Sequence, residues 1–323
     1  MDSGKPLHDT IDYSQIPRGP WQQRAYLLTK VLPAVVEANT RYVEEQYRFK
    51  DRILVVRDFV SHDMLDAARG DWDALSKVWF FPWVEAASEL DLALTHTIAG
   101  LYRASFDHQR RAVELVIVGS VFVADATPRQ EGQRWMSSAD LTPMFTRALD
   151  SLATHDFYGE YDDRSGWIGR VRDHYWSLCD VVHVRGTRYA LGRIQPMSWN
   201  FNGMRVPQFD SAAAQRALDY IIQTSEHVAI ALALANPVLL FGLPLEEKFG
   251  LNGPVSGFFR EEQAERLRLL ISADLLGPLI ELADADPKVV ALRQWVESMP
   301  DLSEEEWQQQ IEEQNKLFGR GDA

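Results

Sequence analysis

Residues 85–124 read EAASELDLALTHTIAGLYRASFDHQRRAVELVIVGSVFVA. Within them Leu90, Leu94, Ile98, Leu101, Ser105, His108, Ala112, Leu115, Gly119 and Phe122 recur at alternating spacings of three and four. That period lays one stripe along many turns of α-helix, which is the pattern of a long helix in a bundle. The spacing predicts a single helix from about Glu85 to Ala124. Arg110 and Arg111 stand beside the stripe, with Glu114 three and four residues on and in reach to pair with them.

Reading outward from this helix gives more of the same period. Trp135 to Leu152 carries a helical segment with Thr142-Pro143 at its start. Residues 155–166 are acidic and glycine-bearing and read as a solvated connector. The stretch Arg172 to Gly186 reads as a helix ending on a histidine, an arginine and a glycine. Ile168, Val171, Tyr175, Leu178 and Val182 form its stripe, and Gly186 suits a left-handed cap. Residues 187–209 read as a long loop or a small hairpin with Asn202-Gly203 as its turn. Asp210 or Ser211 caps a helix that runs to Ala235, where Asn236-Pro237 stops it.

Before the long stripe, residues 1–19 read as a loose leader and Trp21 to Lys50 as a helix that Pro33 kinks. Arg52 to Val60 fits either a short strand or a continuation of that helix. Trp72, Trp79, Phe80, Phe81 and Trp83 lie close together, as in a packed helical corner. The glycine- and proline-rich run 237–259 marks a boundary. At least three further helices follow, at about 261–276, at 287–298, and after the capping box Ser303-x-x-Glu306. The fold class expected is all-α, as an up-and-down helical bundle with helical extensions. Its organisation is an N-terminal leader and extension over 1–84, a bundle over 85–236 and a C-terminal appendage over 237–323.

Composition narrows the function. The chain has 323 residues and 46% hydrophobic content, enough for one large or two ordinary helical domains. A net charge of −14 argues against a protein that coats nucleic acid or anionic membranes. Cys179 is the single cysteine, so no intrachain disulfide and no cysteine-rich zinc site can form. The longest apolar run, Val228 to Ala235, is far short of the roughly 20 residues a bilayer span needs. A soluble, cytoplasmic protein with no membrane partner is expected. The sequence shows no P-loop, no Gly-x-Gly-x-x-Gly turn, no Gly-x-Ser-x-Gly elbow and no His-Glu-x-x-His helix. No cofactor and no metal are expected.

The segment Tyr175-x-x-Leu178-Cys179-Asp180-Val181-Val182-His183-Val184-Arg185-Gly186 resembles the Tyr-x-x-Leu-Ser-x-x-Val-His segment of the HEPN superfamily (higher eukaryotes and prokaryotes nucleotide-binding). It looks most like the poorly characterised bacterial branches of that group. Leu101 to Ser105 and Arg110 to Leu115 are similar to the group's Tyr-x-x-Ala … Leu-Arg-x-x-Leu-Glu segment. The resemblance covers about residues 85–235. It implies an up-and-down helical bundle, often dimeric, with roles in bacterial defence or toxin-type systems. Some members cut RNA without a metal, using an Arg-x(4–6)-His motif that faces the dimer mate. His183 takes the histidine position, whereas Trp176, Ser177, Leu178 and Cys179 fill the positions four to seven before it. Arg172 lies eleven residues ahead of His183, roughly 16 Å along a helix axis, too far to share one phosphate with it.

Metal-free RNA cleavage needs an acid or base near neutral pKa and a cation on the phosphate. His183, Arg185 and Arg188 are the candidate catalytic residues of those types, with Asp180, Tyr175 and Arg172 as candidate binding residues. Asp180 is placed to hydrogen-bond His183, which would then only cap the helix dipole. His108 is expected to be a satisfied core histidine. The first functional expectation is a non-catalytic interaction or scaffold protein with a HEPN-like fold, taking a protein partner or a second copy of itself. The alternative is a metal-independent ribonuclease, with His183 as acid/base and Arg185 and Arg188 on the phosphate of an RNA partner. A third expectation is a small-ligand binder built on Trp72, Trp79 and Trp83.

Overall fold

The computed structural model describes residues 19–66, 81–124, 126–183, 185, 197–199, 205–251, 255 and 257–317. The first helices are α1 (Pro20–Tyr26), a π-helical turn at Leu27–Val31, and α2 (Leu32–Glu45). The π turn lies just ahead of Pro33, the position at which the sequence predicts a kink. Next come α3 (Lys50–Asp58), a second π turn (Phe59–Asp63) and α4 (Met64–Asp66). Residues 52–60 are therefore helical, with Ile53, Val56, Phe59 and Val60 buried on one side.

The predicted single helix over 85–124 is two helices. α5 (Phe81–Ile98) and α6 (Tyr102–Ala124) are joined by a tight turn. Gly100 sits in that turn at φ 69°, the left-handed region that glycine enters without penalty. The Leu101 N–H returns to the His96 carbonyl at 2.7 Å and closes the end of α5. The helices then run antiparallel, since Thr97 meets Ser105 at 2.8 Å and Glu89 meets His108 at 2.6 Å. Farther along, a Cβ added at Gly119 would lie 2.6 Å from Pro82, so glycine permits the close approach there. The predicted stripe is buried only in part: Leu90, Ser105, Ala112, Gly119 and Phe122 are buried, whereas Leu94, Ile98, Leu101, His108 and Leu115 are partly covered.

α7 (Ala126–Met136) and α8 (Phe145–Ala153) follow. The stretch expected as a solvated connector is instead mostly a helix, α9 (Asp156–Ser165), which buries Tyr158 and Tyr161. His155 caps it by accepting the Phe157 N–H on Nδ1, 3.3 Å away, and its Nε2 lies 3.2 Å from the Ala124 carbonyl. Gly166, at φ 66°, ends α9 and begins α10 (Trp167–Val182). Ile168, Val171 and Leu178 are buried on α10, each contributing about 1.5–3 kcal/mol to the fold.

Two three-residue strands, β1 (Met197–Trp199) and β2 (Arg205–Pro207), pair antiparallel with Ser198 opposite Val206. This is the hairpin alternative; its turn at Asn202-Gly203 lies outside the described residues, as does Gly186. α11 (Ser211–Ala235) is capped by Asp210, which accepts the Ala213 N–H at 2.8 Å. A 3-10 turn (Pro237–Leu240) leads to α12 (Leu245–Phe249), α13 (Glu261–Leu270), α14 (Ala273–Ala285), α15 (Pro287–Ser298) and α16 (Glu304–Leu317). The Ser303–Glu306 capping box is formed at the start of α16.

α6 lies at the centre, packed against α5, α8, α10 and α11. One apolar cluster runs from Tyr42 through Leu90 and Leu178 to Ala283, with two smaller ones around Leu27 and Val31 and around Leu243, Leu245 and Val296. Several polar links tie the first helices to the rest, two of them prominent. Arg266 holds Asp63 through two bonds of 2.7 Å, and the Tyr47 hydroxyl donates to Asp219 at 2.8 Å.

Candidate functional site

α10 ends where the sequence places the candidate residues. The His183 N–H still bonds the Cys179 carbonyl at 2.8 Å, but His183 itself has left the helical conformation. Its side chain is exposed and makes no hydrogen bond among the described residues. Asp180 does not turn to it. It pairs instead with Arg185, 3.2 Å away, whose N–H also caps the Asp180 carbonyl at 3.0 Å. Arg185 is 79% exposed, so this pair is screened by water. Arg188 lies outside the described residues.

The other two candidates are committed elsewhere. Arg172 pairs with Asp150 of α8 at 2.7 Å on open surface. Tyr175 is buried and stacks on Phe145, ring centroids 3.6 Å apart. Burial pushes its hydroxyl up to about 12, with the Glu114 charge adding to this and the Arg110 hydrogen bond opposing it. Tyr175 is thus part of the α8–α10 contact and presents no acid for chemistry.

A residue outside the candidate set does reach the site. Arg103, in the first turn of α6, donates to the Val182 carbonyl at 2.6 Å. It brings a guanidinium to the end of α10 beside His183. Its signal in the sequence was its place in the Leu101–Ser105 segment, but nothing in the linear spacing joined that segment to His183. Antiparallel packing of α6 on α10 does so, with Arg103 at Val182 and Arg110 at Tyr175.

Farther along α6 the charges are satisfied among themselves. Arg111 bonds Glu89 at 3.0 Å and Asp107 at 3.3 Å, and Arg110 bonds Glu114 at 3.3 Å. His108 Nδ1 lies 2.6 Å from Glu89, so His108 is satisfied as expected, though by a carboxylate at the rim of the α5–α6 contact and not in the core. His96 stacks on His108 with centroids 4.7 Å apart, and burial, then the neighbouring His108 and Arg111, push its pKa down.

A cavity of about 380 Å³ lies at the opposite end of α6 from Arg103, between Ala124, His155, Tyr158, Pro237 and Val289. Another of about 370 Å³ lies between Phe241, Lys248, Arg268 and Arg293. Trp83 is buried against the α5–α6 crossing, while Trp72 and Trp79 lie outside the described residues. Among the described residues no group of three or more His, Cys, Asp or Glu is placed to hold a metal ion.

Fold and site thus define an all-α architecture, with no helix among the described residues long and apolar enough to cross a membrane. Compared with models of known protein families, with curated proteins and with solved structures, the chain matches none of them.

Proposed function

We propose that this protein is a helical interaction protein of HEPN-like organisation that engages a protein partner and turns over no substrate. One observation carries the reading: the charges gathered for catalysis are spent on the fold. Asp180 is held by Arg185 and Arg172 by Asp150, Tyr175 is stacked into a helix contact, and His183 stands on open surface. Transition-state stabilisation depends on donors fixed in a dry, shaped site, and screened surface pairs supply neither. Large apolar side chains are exposed close by. Met144 and Trp176 adjoin the Phe145–Tyr175 stack and are 63% and 49% exposed, and Leu141, just before α8, is 94% exposed. Such side chains are the usual anchors of a protein contact. A second copy of the chain is the simplest partner.

Arg103 favours a second reading. With His183 it provides a cation and an imidazole at one helix end, the two groups that metal-free cleavage of RNA requires. The decisive experiment incubates wild type, His183→Ala, Arg103→Ala and Arg172→Ala with mixed single-stranded RNA in chelator. An interaction protein leaves the RNA intact in all four samples. Cleavage by wild type and Arg172→Ala, lost in both His183→Ala and Arg103→Ala with circular dichroism unchanged, would replace the first reading with the ribonuclease.

A further inference from the structure

The centre of the bundle holds two histidines that the candidate site does not use. His174 of α10 and His227 of α11 are each 2% exposed, and their ring centroids lie 5.2 Å apart. The Thr224 hydroxyl donates to Gln109 Oε1 at 3.3 Å, so it has only lone pairs left for His174 Nε2, 2.8 Å away. That arrangement places the His174 proton on Nε2, toward Thr224, and the Gln223 side chain is the other group that hydrogen-bonds the ring. Neither ring nitrogen of His227 has a hydrogen-bond partner. A buried imidazole with both nitrogens unsatisfied is an expensive use of core space, since leucine would pack there without the penalty.

Among the described residues no countercharge acts on either ring. From α11 the rings meet Tyr220, at 5.5 Å from His174, together with Thr224 and Gln223. From α6 comes Gln109, whose amide continues the polar chain to Ser105 at 3.0 Å and, through it, to Thr97. Among the described residues the charged side chain that acts on His227 is Arg170 of α10, a cation that opposes protonation further.

We propose that the His174–His227 pair is an acid-sensitive lock between α10 and α11. Neutral rings let the two helices pack, and mild acid loosens that contact. Burial pushes both pKa values down, His174 to about 3 and His227 well below the ordinary value. In an opened state both would return to about 6.5. The sign follows from linkage. Above pH 6.5 neither state binds the protons and the lock is at full strength. Below it only the opened state binds them, so the opening constant rises about tenfold per pH unit for each ring, about a hundredfold for both.

Hydrogen exchange of the full chain at pH 7 and pH 5, corrected for intrinsic rates, tests this. Protection of α10 and α11 should fall at least about a hundredfold at pH 5. His174→Gln combined with His227→Leu should flatten that difference. Equal protection of wild type at both pH values, or an undiminished pH dependence in the double variant, would overturn the lock. Should the variant not fold, imidazole NMR on the wild type decides. Among the eight histidines, the assigned His174 and His227 signals should stay neutral through pH 5 in the folded signal set, and titration of either near 6.5 would sink the idea.

Discussion

Arg103 of α6 closes the end of α10 by donating to the Val182 carbonyl at 2.6 Å. The last carbonyls of a helix lack intrahelical donors and carry partial negative charge, so a guanidinium there both bonds and neutralises them. Arg103→Ala is expected to cost about 1–2 kcal/mol, read as a lower urea midpoint at unchanged slope. Arg172→Ala, which breaks only an exposed pair, should stay within about 0.5 kcal/mol of wild type.

Asp63 is wholly buried and its carboxylate is gripped at both oxygens by Arg266. Burial pushes the Asp63 carboxyl up against the pull of that guanidinium, so the ion pair is stable only while both halves are present. Arg266→Met should destabilise by about 3–5 kcal/mol, whereas replacing both residues with apolar ones should recover much of the loss. A double-mutant cycle by chemical denaturation checks both values, and a coupling energy near zero would refute the account.

Gly100 and Gly119 set the α5–α6 hairpin by different means. Gly100→Ala forces a side chain onto a left-handed backbone and brings its Cβ to 2.5 Å from Val35. Gly119→Ala keeps a good helical backbone but drives a methyl to 2.6 Å from Pro82. Each is expected to cost about 1–3 kcal/mol. Thermal melts should show both losses, and a stabilised Gly119→Ala would mean that the helices can move apart freely.

The Cys179 thiol is pushed above its ordinary pKa, first by burial, against the Tyr175 hydroxyl and the Arg110 charge. Little thiolate is present at pH 8, and the rate of modification should rise steeply as pH climbs past that. Folded protein should react with a disulfide reagent at least about tenfold more slowly than protein in urea. Equal rates would show that the thiol is open to solvent.

Much of the architecture was legible because its signals are local. Asp210 caps α11 and Ser303 with Glu306 opens α16, as the spacing of those residues requires. The α10 stripe through Val171, Tyr175 and Leu178 is buried as read. The connector at 155–166 misled because its charges are conspicuous. What makes it helical is Tyr158 and Tyr161, three residues apart, and the core they enter is built by distant parts of the chain. The candidate site was legible only in part for the same reason. His183 stands at the helix end where the motif put it, but spacing said nothing of Asp180 turning to Arg185 or of Arg103 arriving from α6.

By itself the sequence determined that the chain is helical, where several helices start and stop, and that no disulfide can staple it. Periodicity, capping residues and composition act over a few residues, and each is set before any long-range contact forms. Only the tertiary structure decided that residues 85–124 fold back at Gly100, because a three-four stripe does not encode chain direction. Only it could seat His174 against His227 and bring Arg103 to Val182. Those pairs are 53 and 79 residues apart, and it is packing against α6 and α11 that makes them neighbours.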